Sequence, residues 1–498
     1  MRLIITKILS LFAATLLLGA CHPEGIIVYI IDVDSKVACT TSEQDLTIKI
    51  GLNEELLMAD EMPIVVSNAD WVTVSETTLQ SVVLHVLENT GDKRSATITI
   101  TANGHKQANI KLLQYGTPPE EVNHTLMYLF LGTNLNRYFN ANLKDASTAI
   151  ETGALGDYNR VLFVKQSSRT KCYIGELCYN TEGGECIEQR LEEYEIPDGN
   201  VTPELVSSYI AAMAEYAPAK RYGLVCAGHG QAWLPRDVVL SDTDITKFGA
   251  RRQPWRQAEG AEVTRAYGES DAMLNITELA DAIEESNVEL DYILFDACFM
   301  SNIETVYDLR NAANYIIASP CEIMGKGFPY ERTLPYLFSD NGNTTDYEGA
   351  AESYYIYYRD EYAQTARSGS IAVFDCSEIE ALAEATKRVV ASATESYDKS
   401  SLQTYEGEQI HHFFDFGQWV NVVATDKTAL DTFNTQLSKT VIAKYSLSSF
   451  YSAYGSSGTY PINLNVYSGV TTSAPSEAFP NAWHETNWYK DVCAVSEN

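Results

Sequence analysis

Between Ile26 and Gln114, apolar residues recur at every second position in short runs, the period of a half-buried strand. Leu46-Thr47-Ile48-Lys49-Ile50 and Ala96-Thr97-Ile98-Thr99-Ile100 alternate cleanly. Ile27 to Ile31, Ser81 to Leu87 and Ala108 to Leu112 are further runs, the last following the turn signal Asn103-Gly104. Short strands at this spacing predict a small β-sandwich over 26–116. Gly116-Thr117-Pro118-Pro119-Glu120-Glu121 then breaks the pattern. Paired prolines with flanking charge favour an extended linker, placed at 117–121.

From 122 to 498 the pattern changes to strands alternating with helices. Thr125 to Leu131 is a nearly continuous apolar run, as a central strand requires, and Arg160 to Val164 is a second. Thr202-Pro203-Glu204-Leu205 opens a helix, with Thr as cap and Pro in the first turn. Tyr222 to Ala227 is a third strand, and Asn275-Ile276-Thr277-Glu278 has the spacing of a capping box. Leu290 to Phe295 and Tyr315 to Ala318 are strands four and five, with a helix predicted between them from Asn302 to Leu309. This alternation predicts an α/β sheet covered by helices on both faces. Beyond residue 370 the pattern is weaker: a strand over 370–374, a helix over 379–393, and a Ser-, Tyr- and Gly-rich loop over 448–460.

Residues 1–20 read as an export signal: Arg2 and Lys7, an uncharged apolar run from Ile8 to Leu18, then small residues. Leu18-Gly19-Ala20-Cys21 resembles a bacterial lipobox, which implies cleavage before Cys21, lipidation of its thiol and a membrane-anchored exported protein. With 35 Lys plus Arg against 67 Asp plus Glu, the formal charge is −32, which argues against nucleic acid as a partner. Of the ten cysteines, Cys172, Cys178 and Cys186 are close enough in sequence to suggest one local bridge, the pair left open. No CxxC pair and no HExxH is present, so no metal site is expected.

Ligands of open α/β sheets bind outside the carboxyl ends of strands. Two reactive residues fall there: His229, in Gly223-Leu224-Val225-Cys226-Ala227-Gly228-His229-Gly230, and Cys298, in Ile293-Leu294-Phe295-Asp296-Ala297-Cys298. A cysteine and a histidine that meet in space act as nucleophile and base, and the start of the helix expected after Cys298 would lower its thiol pKa. Either residue alone also suits simple packing. The surrounding residues resemble the clostripain family of cysteine peptidases, in which one strand ends in His-Gly and a later strand in Asp-Ala-Cys. The resemblance continues through Met300 to Leu309, Ala318-Ser319-Pro320 and Gly325-Lys326-Gly327-Phe328-Pro329-Tyr330, and covers roughly 122–490. The front segment, with Trp71-Val72-Thr73-Val74, Asn89-Thr90-Gly91, Arg94 and Gln114-Tyr115-Gly116, resembles a BACON-type immunoglobulin-like module.

The resemblance implies a caspase-like fold and a cysteine endopeptidase acting on polypeptides. Cys298 would be the nucleophile, His229 the general base, and the N–H groups of Gly230 and Cys298 the oxyanion hole. It implies an acidic pocket for Arg or Lys, with Asp296 as its carboxylate; a cap on the following helix is the other role open to Asp296. Lys326 stands where the family often has a second acid, and an ammonium in the pocket would weaken basic specificity. The family also implies self-cleavage between the two motifs. The stretch 234–270 holds Lys247, Arg251, Arg252, Arg256 and Arg265, and Arg251-Arg252 is the candidate site. The chemistry needs no cofactor. Calcium dependence occurs in the family, although no EF-hand loop is present here. The alternative is a glycan- or protein-binding surface lipoprotein on a peptidase fold, for which loss of His229 or Cys298 would have been the sign. Trp71, placed in a strand, is expected in the core of the front module.

Overall fold

A computed structural model describes residues 31–33, 36–39, 41–52, 62–91, 94–102, 106–114, 121–156, 159–180, 185–236, 265, 270–363, 367–394, 396–407, 411–453, 461–474 and 479–494. The signal at 1–20, Cys21, the run 27–30, most of the linker and the pair Arg251-Arg252 lie outside these residues. The chain divides into two units, Met1–Thr117 and Pro118–Asn498.

In the first unit, one sheet runs Lys36–Cys39, Lys106–Gln114, Arg94–Ala102, Ile64–Ser67, and the other Gln44–Lys49, Ser81–Val86, Val72–Thr77. Strict alternation sends Ile98, Ile100, Ile110 and Leu112 from one sheet, and Val82, Leu84 and Val86 from the other, into a shared core where all are fully buried. Trp71 packs against this core from the turn just before Val72–Thr77. It is half-buried, with the Arg94 guanidinium 4.4 Å above its ring.

The second unit is built on a nine-stranded sheet. Its strands are β1 Val122–Phe130, β2 Asn159–Ser168, β3 Lys171–Asn180, β4 Glu185–Glu195, β5 Ala219–Ala227, β6 Leu290–Asp296, β7 Ala313–Ala318, β8 Ile371–Asp375 and β9 Val441–Tyr445. They lie in the order β4-β3-β2-β1-β5-β6-β7-β8-β9. β2, β1, β5, β6 and β7 are parallel, and antiparallel strands flank them at both edges. The parallel centre explains the continuous apolar runs: Leu126 to Phe130 and Val161 to Val164 are buried on both faces.

Helix α1 (Asn136–Glu151) carries the chain from β1 to β2, while α2 (Pro203–Tyr216) and α3 (Ile276–Glu285) carry it the other way along the sheet. Right-handed crossovers in opposite directions put α1 on one face and α2 with α3 on the other. Helices α4 (Ile303–Asp308), α5 (Tyr330–Leu337) and α6 (Tyr347–Asp360) follow, and α5 packs against both α1 and α6. Thr202 caps α2 by accepting from Leu205 N, and Asn275 with Glu278 forms the capping box of α3. Among the described residues no helix is long and apolar enough to cross a membrane.

Two expectations are corrected here. Cys172, Cys178 and Cys186 are not bridged to one another. Cys178 pairs with Ile187 and Cys186 with Tyr179, so the two thiols leave the β3–β4 ribbon on opposite faces, and Cys172 lies six positions back along β3. The expected loop at 448–460 contains the strand Ser449–Tyr451, which pairs with Pro461–Asn463.

Candidate active site

The register of the sheet brings the two motifs together. Ala227, the last residue of β5, pairs with Asp296, the last of β6. His229 and Cys298 each lie two residues beyond that pair, on adjacent parallel strands leaving the same sheet edge. The turn after the cysteine is sharp: Phe299 holds φ +63°, a left-handed conformation that bulky side chains rarely adopt. It is fixed by a hydrogen bond from Phe299 N to Cys321 O (3.1 Å) and by stacking on Phe413 (4.9 Å).

His229 is partly exposed, and its Nε2 lies 3.2 Å from Asn134 Oδ1. An amide oxygen only accepts, so in this contact Nε2 is the donor. Cys298 is fully buried. Its sulfur accepts from Ile323 N at 3.0 Å. Burial pushes the thiol well above its ordinary pKa, with Glu322 adding to the rise, while the N–H groups of Ile323 and Arg265 oppose it. The expected help from a helix start is absent: α4 begins only at Ile303, and its cap is Asn302, which accepts from Thr305 N. That capping also removes the second role held open for Asp296.

Arg265 lies beside the cysteine. It is fully buried, and both its backbone and its side chain are held in the site. Its N–H donates to Ile323 O (2.8 Å), and its carbonyl accepts from Gly230 N (2.9 Å). A Cβ at Gly230 would overlap the Cys298 backbone oxygen, so only glycine lets the two strand ends approach this closely.

The Arg265 side chain fills a closed pocket between the sheet and α1. Its Nη1 pairs with Asp296 Oδ2 (2.9 Å) and donates to the Asp296 carbonyl (3.0 Å). Nε and Nη2 both donate to Gly325 O (3.2 Å each), and Nη2 donates to Asn142 Oδ1 (2.7 Å). The Phe139 ring lies 5.7 Å from the guanidinium carbon. Tyr330 OH donates to Asp296 Oδ2 at 2.8 Å from below. Asp296 is fully buried; burial raises its pKa, and Arg265 is the largest influence pulling it down. Gly327 holds φ +73°, and a Cβ there would overlap both Arg265 and Asp296.

Lys326 is placed differently from the sequence expectation. Its ammonium does not enter this pocket but faces Asp145 (3.7 Å) and the Tyr357 ring (5.3 Å). Gly325 and Lys326 form a turn, and the ammonium held by Asp145 leaves Asp296 to Arg265. Glu322, also fully buried, is directed elsewhere: its carboxylate accepts from Ser452 Oγ (2.5 Å) and Ala453 N (3.1 Å). Among the described residues no three His, Cys, Asp or Glu side chains gather in a way that would hold a metal ion, so calcium finds no cluster there.

Asn134, Phe139, Asn142 and the docking of Arg265 escaped the sequence reading. The first three belong to α1 or to the turn before it, a segment given no element from sequence. Arg265 had been one of several basic residues in the 234–270 stretch.

The sequence model described as the clostripain family (peptidase C11) matches residues 253–472, and that of BACON, described as a putative N-terminal binding domain, matches 63–114. A secreted C11 cysteine protease from Bacteroides thetaiotaomicron, "iotapain", superposes with TM-score 0.63 at 31% identity, covering 75% of this chain and 100% of that one. An inactive zymogen C11 protease from Parabacteroides distasonis gives TM-score 0.62 at 26% identity, over 76% of this chain and 100% of that one. A secreted C11 cysteine protease from B. thetaiotaomicron in complex with an irreversible peptide inhibitor gives 0.60 at 25%, over 74% and 98%. Among curated protein sequences none matches.

Proposed function

The chain belongs to the clostripain family of C11 cysteine peptidases, and from that premise we propose that it cuts polypeptides after a basic residue and first cuts itself after Arg265. The observation that carries this reading is the seat of Arg265: guanidinium on Asp296, carbonyl on Gly230 N–H, backbone beside Cys298. A substrate held the same way presents its scissile carbonyl to the nucleophile. The relative from Parabacteroides distasonis, called an inactive zymogen, gives the uncut state a precedent.

In the proposed mechanism Cys298, as thiolate, adds to the carbonyl carbon of the basic residue. The carbonyl oxygen takes the negative charge and is held by the Gly230 and Cys298 N–H groups. His229, its Nε2–H held by Asn134, receives the thiol proton on Nδ1 and passes it to the departing amine, which breaks the C–N bond. Water then attacks the thioester, His229 takes its proton, and the acid and the free thiol are released. In the uncut chain the first substrate is the Arg265–Ala266 bond, which shifts the self-cleavage site from Arg251-Arg252.

The front module is proposed as a spacer or binding unit, and Cys21 as the lipid attachment site of an exported protein; the secreted relatives support export. The deciding experiment uses the chain lacking residues 1–21, incubated with and without calcium, with fluorogenic peptides ending in Arg, Lys, Ala, Leu, Asp or Glu. The expected result is cleavage of basic peptides and a new N-terminus at Ala266, both lost in Cys298→Ala and His229→Ala. Cleavage that survives Cys298→Ala, or a new N-terminus elsewhere while 265–266 stays intact, would overturn the assignment.

A further inference from the structure

The docked guanidinium touches more than a counterion, and the extra contact comes from α1. We infer that Asn142 makes this pocket select arginine over lysine, an inference that rests on the basic specificity proposed above. Asn142 is buried, and its amide is fixed in direction: Nδ2 donates to Lys326 O at 2.7 Å, so Oδ1 faces the pocket. There it accepts from Nη2 at 2.7 Å, while Nη1 reaches Asp296 on the other side. A planar guanidinium spans the two acceptors with separate nitrogens. A lysine ammonium is a single nitrogen on a shorter stem. Drawn to Asp296, it leaves Asn142 Oδ1 as a buried acceptor without a donor; drawn to Asn142, it leaves the carboxylate unpaired.

The charge balance points the same way. One carboxylate and neutral oxygens from Asn142 and Gly325 match a delocalised cation. Lys326 meanwhile is held outside by Asp145 and Tyr357, so it neither competes with the bound cation nor brings a second acid into the pocket.

The test mixes two peptides that differ only in Arg or Lys before the scissile bond. It measures the ratio of their kcat/KM values, which does not depend on the fraction of enzyme that is active. Wild-type enzyme should favour Arg by about tenfold or more, the range for stranding a buried polar group. Asn142→Ala should reduce that ratio by roughly tenfold. Asn142→Asp, which gives an ammonium a second carboxylate, should raise the absolute rate on Lys.

If Asn142 served only to brace the 325–327 turn, both peptides would slow together and the ratio would stay put; that result overturns the inference, as does a wild-type ratio near one. If neither peptide is cut while a Leu or Asp peptide is, the basic pocket itself is wrong. Should Asn142→Ala fail to fold, the wild-type ratio and Asn142→Asp decide the matter.

Discussion

Replacing Asp296 by Asn keeps the shape of the pocket and removes its charge. In the uncut chain the Asp296 and Arg265 side chains are both fully buried, 2.9 Å apart, with Tyr330 OH on the same carboxylate oxygen at 2.8 Å. Removing one partner of a buried ion pair costs about 3–5 kcal/mol, because the remaining charge is stranded in low dielectric. At about 1.4 kcal/mol per decade, that is a loss of roughly two to four orders of magnitude in rate if the pair holds the scissile bond in place. Asp296→Asn should therefore stop self-cleavage on the timescale in which the parent is fully cut. The same loss should appear in kcat/KM for Arg peptides, with little change for a citrulline peptide. Arg265 should leave its seat rather than unfold the domain, so trypsin should cut after it faster than in Cys298→Ala. Gels and N-terminal sequencing read both effects. Asp145→Asn, at the outer ion pair with Lys326, is the control and should stay within a few-fold. Self-cleavage of Asp296→Asn within tenfold of the parent would refute the reasoning.

Gly230→Ala should abolish cleavage of every peptide, because its Cβ would overlap the Cys298 backbone oxygen in the place where the carbonyl is held; thermal melting would show that the fold survives. In uncut His229→Ala protein, iodoacetamide should leave Cys298 unlabelled at pH 8, since burial raises the thiol and keeps it neutral. Labelling should become fast in the double variant His229→Ala with Asp296→Asn, where Arg265 leaves its seat, with peptide mass mapping as the readout. Glu304→Ala should destabilise the second unit by about 3 kcal/mol in urea unfolding. Buried Glu304 accepts from Thr472 Oγ1 (2.8 Å), Ser473 N (3.0 Å) and Trp483 Nε1 (2.9 Å), and the change strands all three donors.

The parts legible in sequence were those whose signal is local. β1, β5 and β6 read clearly because their buried central stretches, such as Tyr292 to Phe295, are apolar, and α2 and α3 because their caps are written in adjacent residues. α1 was not read. Phe139, Leu143, Ala146 and Ile150 do form one buried face, but the segment opens with Asn134, Asn136, Asn140 and Asn142, which favour turns over helix interiors. The ribbon of β3 and β4 was also missed, because an edge strand such as Glu185–Glu195 turns charge outward and loses the apolar signature. His229 and Cys298 stood out as candidates because they follow strand ends, and Asp296 only through the family resemblance. Asn142 and Arg265 are brought to them only by the tertiary fold, and nothing adjacent to either residue marks it.

If the buried carboxylate that seats Arg265 also seats the basic residue of a substrate, as proposed, substrate binding should depend on pH with a definite sign. Burial raises the Asp296 pKa, and the docked guanidinium is the largest influence lowering it. Once Arg265 departs that influence is lost while entering water relieves part of the burial; the prediction is that loss of the guanidinium outweighs the water, so the carboxyl keeps its proton to higher pH in the empty pocket than in the filled one. A cationic side chain binds the ionised form, so its entry is coupled to release of a proton. Binding is then complete above the pKa of the empty pocket and fades as pH falls through it. Because kcat/KM reports the free enzyme and kcat the bound one, kcat/KM for an Arg peptide should carry an acid-side ionisation that kcat lacks. A citrulline peptide has the same shape without charge, and its kcat/KM should lack that ionisation. An acid limb that is the same for Arg and citrulline would assign the titration to the catalytic pair instead, and would mean that Asp296 is already ionised in the empty pocket.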